Sequence, residues 1–272
     1  MDYLARESAP FSPGIWTHID NAVLETARRH MVCRRFLNLF GPLGPGVTHV
    51  PVDNITKDET LNEGFGLLKG RKLLELPILY EDFTLYWRDL ETAFAAGREP
   101  DLSAALAAAQ RAAKREDNFI LFGHRELDQE GLFTAKDSIK MKRADWKEGE
   151  KAFRDIAHGI AYLSSQNFLG RYVLVLSPDL YLDLQRIIPG INLLESERIA
   201  KLVDGRVYAT GAFGAGKAVL LCAEPQYVDL AIGCDLNTGY LETKDFNHAL
   251  RIQETVALRI KEPAAIVNFV TE

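Results

Sequence analysis

Little in this chain of 272 residues points to chemistry. It holds only three cysteines, Cys33, Cys222 and Cys234. Their number is odd and their spacings fit neither a zinc ribbon nor a redox pair, so they read as free thiols of a reducing compartment. An excess of positive charge is missing as well. The formal net charge is −6, which argues against a sequence-independent grip on nucleic acid while leaving room for a local basic patch. No apolar run approaches the ~20 residues of a membrane helix. The opening residues, Met1 to Glu7, show no apolar core behind a basic head. A cytoplasmic protein without a signal peptide is therefore expected. Internal repeats and low-complexity tracts are absent too, since the alanine-rich stretch 104–113 is helix composition.

Catalytic motifs are equally scarce. No Gly-x-Ser-x-Gly elbow occurs. The run from Gly211 to Gly216 and Lys217 has phosphate-loop spacing, but Ala218 stands where a Ser or Thr should hold magnesium, and Val219, Leu220 and Leu221 promise a strand where a helix is needed. A glycine-rich turn between strands is the expected structure. His124, Glu126, Asp128 and Glu130 crowd together, yet match no zinc or calcium pattern. His158 sits near an apolar helix face and reads as a packed core histidine. Cys33 beside Arg34 and Arg35 allows a lowered thiol pKa, although packing at a helix end is the better reading. Tyr86 and Trp87 could stack on a flavin; aromatics in a strand more often belong to a core. No other cofactor and no metal are expected.

What is present is a mixed α+β pattern with 47% hydrophobic and 26% charged residues, enough for one large domain or two small ones. Ser12 and Pro13 open a helix whose stripe is Trp16, Ile19, Val23, Ala27 and Met31. Gly41, Pro42, Gly44, Pro45 and Gly46 end any regular element. Residues 47–72 are poor in apolar side chains and rich in turn formers. Such a stretch is a functional loop, a disordered one, or an arm that buries itself on a neighbouring subunit. Residues 73–87 alternate like a strand, with Phe83, Leu85 and Trp87 on one face and Pro77 marking an edge or a bend. A helix starts at Asp101 or Ser103, with Leu102, Ala105, Leu106, Ala109, Ala112 and Ala113 aligned. A second spans 145–167, with Phe153, Ile156, Ala157, Ile160 and Ala161 aligned and Gly170 near its end. The polar stretch 123–144 between them should be irregular. Residues 172–222 read as an α/β unit: a strand at Tyr172–Leu176, helices at 178–188 and 195–203, and strands near Val207 and Val219. From 248 to 260, Leu250, Ile252, Val256, Leu258 and Ile260 share one strand face that only Glu254 interrupts.

Several segments in order resemble the encapsulin shell family, also named after linocin-type bacteriocins. They are Met1 to Pro10 with Trp16 to Asp20; Cys33-Arg34-Arg35-Phe36-Leu37-Asn38-Leu39-Phe40-Gly41-Pro42-Leu43-Gly44; Asp82 to Glu91; Gly233 to Tyr240; and the last long strand ending near Glu262, Pro263 and Ala264. The resemblance implies the α+β fold of tailed-phage major capsid proteins: an N-terminal helix and arm over 1–46, an extended loop over 47–80, a peripheral domain over 81–171 and 236–272, and an axial domain over 172–235.

It also implies a non-enzymatic subunit that assembles with copies of itself into a hollow icosahedral nanocompartment. Such shells enclose a cargo protein, commonly a ferritin-like iron-storage enzyme or a dye-decolorising peroxidase, through a short C-terminal targeting peptide. The positions matching the family's cargo-peptide dock are Arg34, Asn38, Asp235, Leu236 and Thr238. Asn38 stands where relatives often carry an acid. Arg34 could equally be a helix-end cation facing the macrodipole. The five-fold pore would be lined by Ile187, Ile188, Pro189, Gly190, Ile191, Asn192, Leu193, Leu194, Glu195 and Ser196. Neither nucleic acid nor membrane is an expected partner. A phage or prophage capsid protein packaging DNA is the alternative with the same fold.

Overall fold

The computed structural model describes residues 3–52, 59–62, 65–68, 72–188, 190 and 192–271, and the side chains of 59–62 and 65–68 are outside that description. After a 3₁₀ turn at Arg6–Ser8 comes helix α1 (Pro13–His30). The Ser12 Oγ accepts the Ile15 N–H at 3.4 Å, Pro13 fills the first helical position, and Arg28, Arg29 and His30 lie at the negative end of the dipole. After it come strands β1 (Leu39–Phe40), β2 (His49–Val52), β3 (Glu59–Asn62), β4 (Phe65–Leu68), β5 (Lys72–Glu75) and β6 (Ile78–Leu85). Helices α2 (Trp87–Ala95) and α3 (Ser103–Phe122) follow, then β7 (Gly123–His124), β8 (Gln129–Glu130) and β9 (Ile139–Lys142). The second half runs α4 (Lys151–Ser165), β10 (Tyr172–Leu176), α5 (Pro178–Asp183), α6 (Glu195–Leu202), β11 (Val207–Ala209), β12 (Ala218–Cys222), β13 (Val228–Lys244), β14 (Asn247–Ile260) and β15 (Ile266–Val270).

Two sheets organise these elements. In the first the order is β1-β13-β14-β6, built around the long antiparallel hairpin β13–β14. Its Leu236, Tyr240, Leu250 and Ile252, with Phe83 and Leu85 of β6, form one apolar face. Helix α1 covers it with Trp16, Ile19, Val23 and Ala27, and α3 with Ala105, Ala108, Ala109, Ala112 and Ala113. Alanine leaves no bulk between backbones, so α3 lies close against both α1 and β6. Each large apolar side chain buried in this way contributes roughly 1.5–3 kcal/mol. Gly41 joins β1 to the hairpin: its φ is +135°, and a Cβ there would stand 2.2 Å from the Ile232 carbonyl oxygen.

The second sheet has the order β11-β10-β12-β15-β9. Helix α4 packs on it through Ala152, Ile156 and Leu163, against Leu174, Leu176, Leu220 and Phe269. The end of α3 (Ile120, Leu121) ties the two sheets together through Val173, Val219, Leu230 and Val256.

Several sequence expectations change here. Trp87 opens α2, a helix that the alternation up to 87 concealed. Leu106 is exposed on α3, and Ala108 takes the buried place. Helix α4 begins at Lys151 rather than 145, and its buried line is Ala152, Ile156, Gly159 and Leu163. Its Phe153, Ala157 and Ile160 are half-buried, Ala161 is exposed, and His158 is exposed and no core histidine. Residues 123–144 are not wholly irregular, because Ile139–Lys142 pairs parallel with β15 as an outer strand. The expected boundaries also cut across hydrogen-bonded units. β13 runs through the division at 235/236, while β9, α4 and β15 belong with the sheet of residues 172–222. The arm is poor in core only beyond its base. β2 pairs with β5, and Val50, Val52, Leu74 and Leu76 bury themselves against Ala231 and Ala257 on the back of the hairpin. Further out, β3 pairs with β4.

Candidate functional site

Beyond α1 the chain turns sharply. Both oxygens of the buried Asp117 on α3 accept the Val32 N–H (3.1 and 2.9 Å), and one accepts the Cys33 N–H at 2.9 Å. This anchor fixes a single 3₁₀ turn, Cys33–Arg35, and aims Arg34 at the sheet. The Arg34 Nε–H donates to both oxygens of Glu116 (3.0 and 2.8 Å), Nη1 to Asp235 Oδ1 at 2.6 Å, and Nη2 to Glu254 Oε2 at 2.6 Å. One guanidinium thus joins the N-terminal segment, α3 and both strands of the long hairpin.

Its partners differ in exposure. Glu116 and Glu254 are fully buried, while the Asp235 side chain is 60% exposed. Burial opposes the charge on Arg34, but the Glu116 and Glu254 carboxylates outweigh it and hold the guanidinium firmly protonated. Burial and the neighbouring Glu116 charge push the Glu254 carboxyl well above the usual carboxylate range. Burial also raises Asp235, but its hydrogen bond from Arg34 prevails and lowers it overall. Asp117 is raised by burial against the pull of its two backbone donors.

Of the five expected dock residues, the structure brings Arg34 and Asp235 into direct contact. The macrodipole reading of Arg34 fails, because it lies past the end of α1 and its charge is spent on three carboxylates. Asn38 turns away and donates to the Ala223 carbonyl at 3.1 Å. Leu236 and Thr238 are buried beneath α1, where the Thr238 Oγ1 has no hydrogen-bond partner among the described residues and its carbonyl accepts from Arg6 Nε at 2.9 Å. Beside Asp235 opens a cavity of about 340 Å³ lined by Tyr3, Cys234, Asn237, Gln253, Glu254 and Thr255, among others. Glu116 and Glu254, which orient Arg34, escaped sequence reading. Glu254 had a signal, as the lone charge on an apolar strand face. Glu116 had a weaker one, an acid in line with the α3 alanines.

Ahead of α6, Ile187 bridges Leu194, and the Ile188 N–H donates to the Leu193 carbonyl at 3.0 Å. Ile187 (65% exposed), Gly190 and Asn192 face outward, Leu193, Leu194 and Ser196 are half-buried, and Pro189 and Ile191 lie outside the described residues. Ile188 and Glu195 do not face an opening. Ile188 is buried, and Glu195 is buried because it takes Arg186 Nε at 2.7 Å and the Phe153 N–H at 3.2 Å.

The other chemical candidates resolve into structure. Residues 211–217 turn between β11 and β12 with no helix after them; the Gly216 N–H donates to Asp179 at 2.9 Å, and the Lys217 ammonium lies 4.7 Å from the centre of the Phe122 ring. Among the described residues, no cluster of three His, Cys, Asp or Glu side chains is placed to hold a metal. Cys33 is buried, and burial together with Asp117 pushes its thiol well up, the opposite of an activated cysteine. Tyr86 and Trp87 are exposed. The Trp87 ring meets Phe246 edge-on at 6.3 Å and lies beneath the Arg88 guanidinium at 5.4 Å.

A twisted long hairpin backed by a long helix, an outlying arm and a second mixed sheet recur in solved shells. A chain of a virus-like particle from Pyrococcus furiosus superposes with a TM-score of 0.74 at 20% identity, covering 92% of this chain and 97% of that one. A chain of the capsid of Myoviridae phage XM1 gives 0.63 at 13% identity, covering 89% and 92%. The fold is that of tailed-phage capsid proteins. At the level of sequence, a family model described as encapsulating protein for peroxidase matches residues 1–257. The type 1 encapsulin shell protein EncA of Myxococcus xanthus is 35% identical over 276 residues, 97% of this chain and 95% of that protein. A diheme-cytochrome-encapsulin shell fusion protein of Kuenenia stuttgartiensis is 35% identical over 258 residues, 92% and 71%. The chain belongs to the encapsulin shell family: it is a structural, shell-forming subunit and not an enzyme.

Proposed function

We propose that copies of this chain close into a hollow icosahedral nanocompartment in the cytoplasm and retain a cargo protein by a short C-terminal peptide bound beside Asp235. The observation that carries the dock is Asp235 itself. It is the one exposed member of an otherwise buried ionic cluster, it is held ionised by Arg34, and its chain neighbours Cys234 and Asn237 line an open cavity. In this reading Arg34 positions the dock and Asp235 meets the peptide. Asn38, Leu236 and Thr238 shape it from behind. A ferritin-like iron-storage protein is the first cargo candidate and a dye-decolorising peroxidase the second; the family description favours the latter. The exposed residues of the stretch 187–196, Ile187, Gly190 and Asn192, line the five-fold opening with a neutral rim. The shell has no cofactor of its own; a flavin-like absorption in purified particles would instead favour stacking on Tyr86 or Trp87.

The test uses a reporter protein fused to the C-terminal tail of a candidate cargo and expressed with the shell. Asp235→Ala shells should keep their size and lose most of the reporter. Unchanged loading would move the dock elsewhere. The same fold serves a phage capsid, and a capsid protein packaging DNA is the alternative reading. The net charge of −6 weighs against that alternative, and nuclease-resistant DNA inside purified particles would restore it.

A further inference from the structure

The cavity of about 340 Å³ holds a thiol that the dock leaves unused. Cys234 sits where β13 slips its register against β14 on both sides, between Ile232 and Cys234 and between Cys234 and Asn237. Such irregularities re-aim side chains. The Cys234 N–H donates to Thr255 Oγ1 at 2.7 Å. Gly233 lets the strands come this close, since a Cβ there would stand 2.4 Å from the same oxygen. The Asn237 Nδ2–H donates to the Cys234 sulfur at 3.0 Å, and the Tyr3 hydroxyl lies 3.0 Å from that sulfur. These contacts hold the sulfur at the cavity wall, half-buried and within reach of solvent. Cys33 and Cys222 are fully buried and offer no sulfur to a partner from solution.

Two residues of the same wall carry an oxygen left open. Glu254, 1% exposed, has no hydrogen-bond partner for its Oε1 among the described residues, and neither has the buried Oδ1 of Asn237. A buried acceptor without a partner costs free energy. Both atoms are oxygens, so a group that satisfies them brings N–H or O–H donors. Asp235, next in the chain, adds an exposed carboxylate nearby. The rest of the wall is mainly apolar, with Pro45 and Ile78 among its members. A short methylene chain that ends in an ammonium group matches these walls.

We propose that Cys234 is a modification site that takes a small aminothiol as a mixed disulfide, with the methylenes of the adduct in the cavity and its ammonium group at the open oxygens of Glu254 and Asn237. The co-reactant is the disulfide of that aminothiol. The Cys234 sulfur, having given up its proton, attacks one sulfur of the disulfide. A new S–S bond forms as the old one breaks. The Cys234 sulfur is oxidised, and the second half leaves reduced, as a thiol that carries the proton. Thiol and cavity lie within one chain, so the site goes beyond the shell reading and stands without it.

The test treats the native protein and the urea-unfolded chain with cystamine, whose halves end in ammonium, and with dithiodipropionate, whose halves end in carboxylate. Intact mass and peptide mapping read the adduct. The native protein should gain one cysteamine per chain, on Cys234, and dithiothreitol should restore the parent mass. Native Cys234→Ser should gain none. Cystamine should outpace dithiodipropionate on the native protein by about tenfold beyond the ratio seen with the unfolded chain, the order of one charge-assisted hydrogen bond. An unmodified native Cys234, or an adduct on native Cys33 or Cys222, would overturn the site. Equal ratios in the native and unfolded chains would overturn the assignment of the cavity to an aminothiol.

Discussion

The Arg34 guanidinium stands 2.6 Å from Glu254 Oε2, a carboxylate only 1% exposed at the middle of the longest hairpin. That single pair ties the segment after α1 to the sheet, and Glu116 shares it from α3. Removing the cation from a buried cluster of acids is expensive, whereas replacing the whole group by apolar side chains is often neutral. Arg34→Met should therefore destabilise the subunit by about 3–5 kcal/mol in denaturant unfolding. Arg34→Met/Glu116→Leu/Glu254→Leu should recover most of that loss. If the single variant is as stable as the parent, the cluster is not what holds this junction.

The same cluster sets a pH dependence. Glu254 binds its proton more tightly folded than unfolded, because burial and the Glu116 charge raise it. The folded state then holds the extra proton above the ordinary carboxylate pKa, and stability falls as pH rises from there through the raised value. Asp117, also raised by burial, adds to this slope. Asp235 acts in the opposite sense: its contribution is present above the ordinary value and is lost as pH falls through its lowered one. Glu254→Gln should flatten the decline in melting temperature that begins above the ordinary carboxylate pKa and leave the acid limb in place. An unchanged decline would show that Glu254 does not set it.

Thiol reactivity should separate the three cysteines. Burial and Asp117 raise Cys33, burial and Glu224 push Cys222 up to about 11, and both are buried; Cys234 is half-buried at the cavity beside Asp235. A thiol reagent should modify one cysteine, Cys234, in the native protein and all three after denaturation. Rapid labelling of Cys33 in the folded protein would contradict its placement.

Lys217 is a structural residue. Its ammonium lies over Phe122 at 4.7 Å and Phe133 at 5.7 Å. Lys217→Ala should cost about 0.5–1 kcal/mol, leave assembly intact, and change no nucleotide binding, since none is expected of the parent. Tight ATP binding that the substitution abolished would reopen the phosphate-loop reading.

Much of this architecture was legible in the sequence where local rules act alone. Ser12, Pro13 and the stripe from Trp16 to Ala27 specify α1, and the alternation over 248–260 specifies β14. The breaking of 211–217 by glycines before a β-type run identified a turn. What stayed hidden depends on partners distant in sequence. Trp87 looks like the next strand residue until β6 ends at Leu85 and α2 begins. β9 is a strand only because β15 pairs with it, more than a hundred residues later. β13 is broken by register shifts between Ile232 and Glu242, which blur its alternation. The candidate site was half legible. Arg34 and Asp235 were found through resemblance, while the acids that hold Arg34 sit on a helix and a strand whose faces otherwise read as apolar core.

The central claim is that this chain builds closed shells, and size-exclusion chromatography with negative-stain microscopy of the purified, folded protein tests it most directly. Hollow particles of uniform diameter, eluting far ahead of a 30.5 kDa monomer, are expected. A folded monomer or dimer under native conditions, with no particles on the grid, would contradict it.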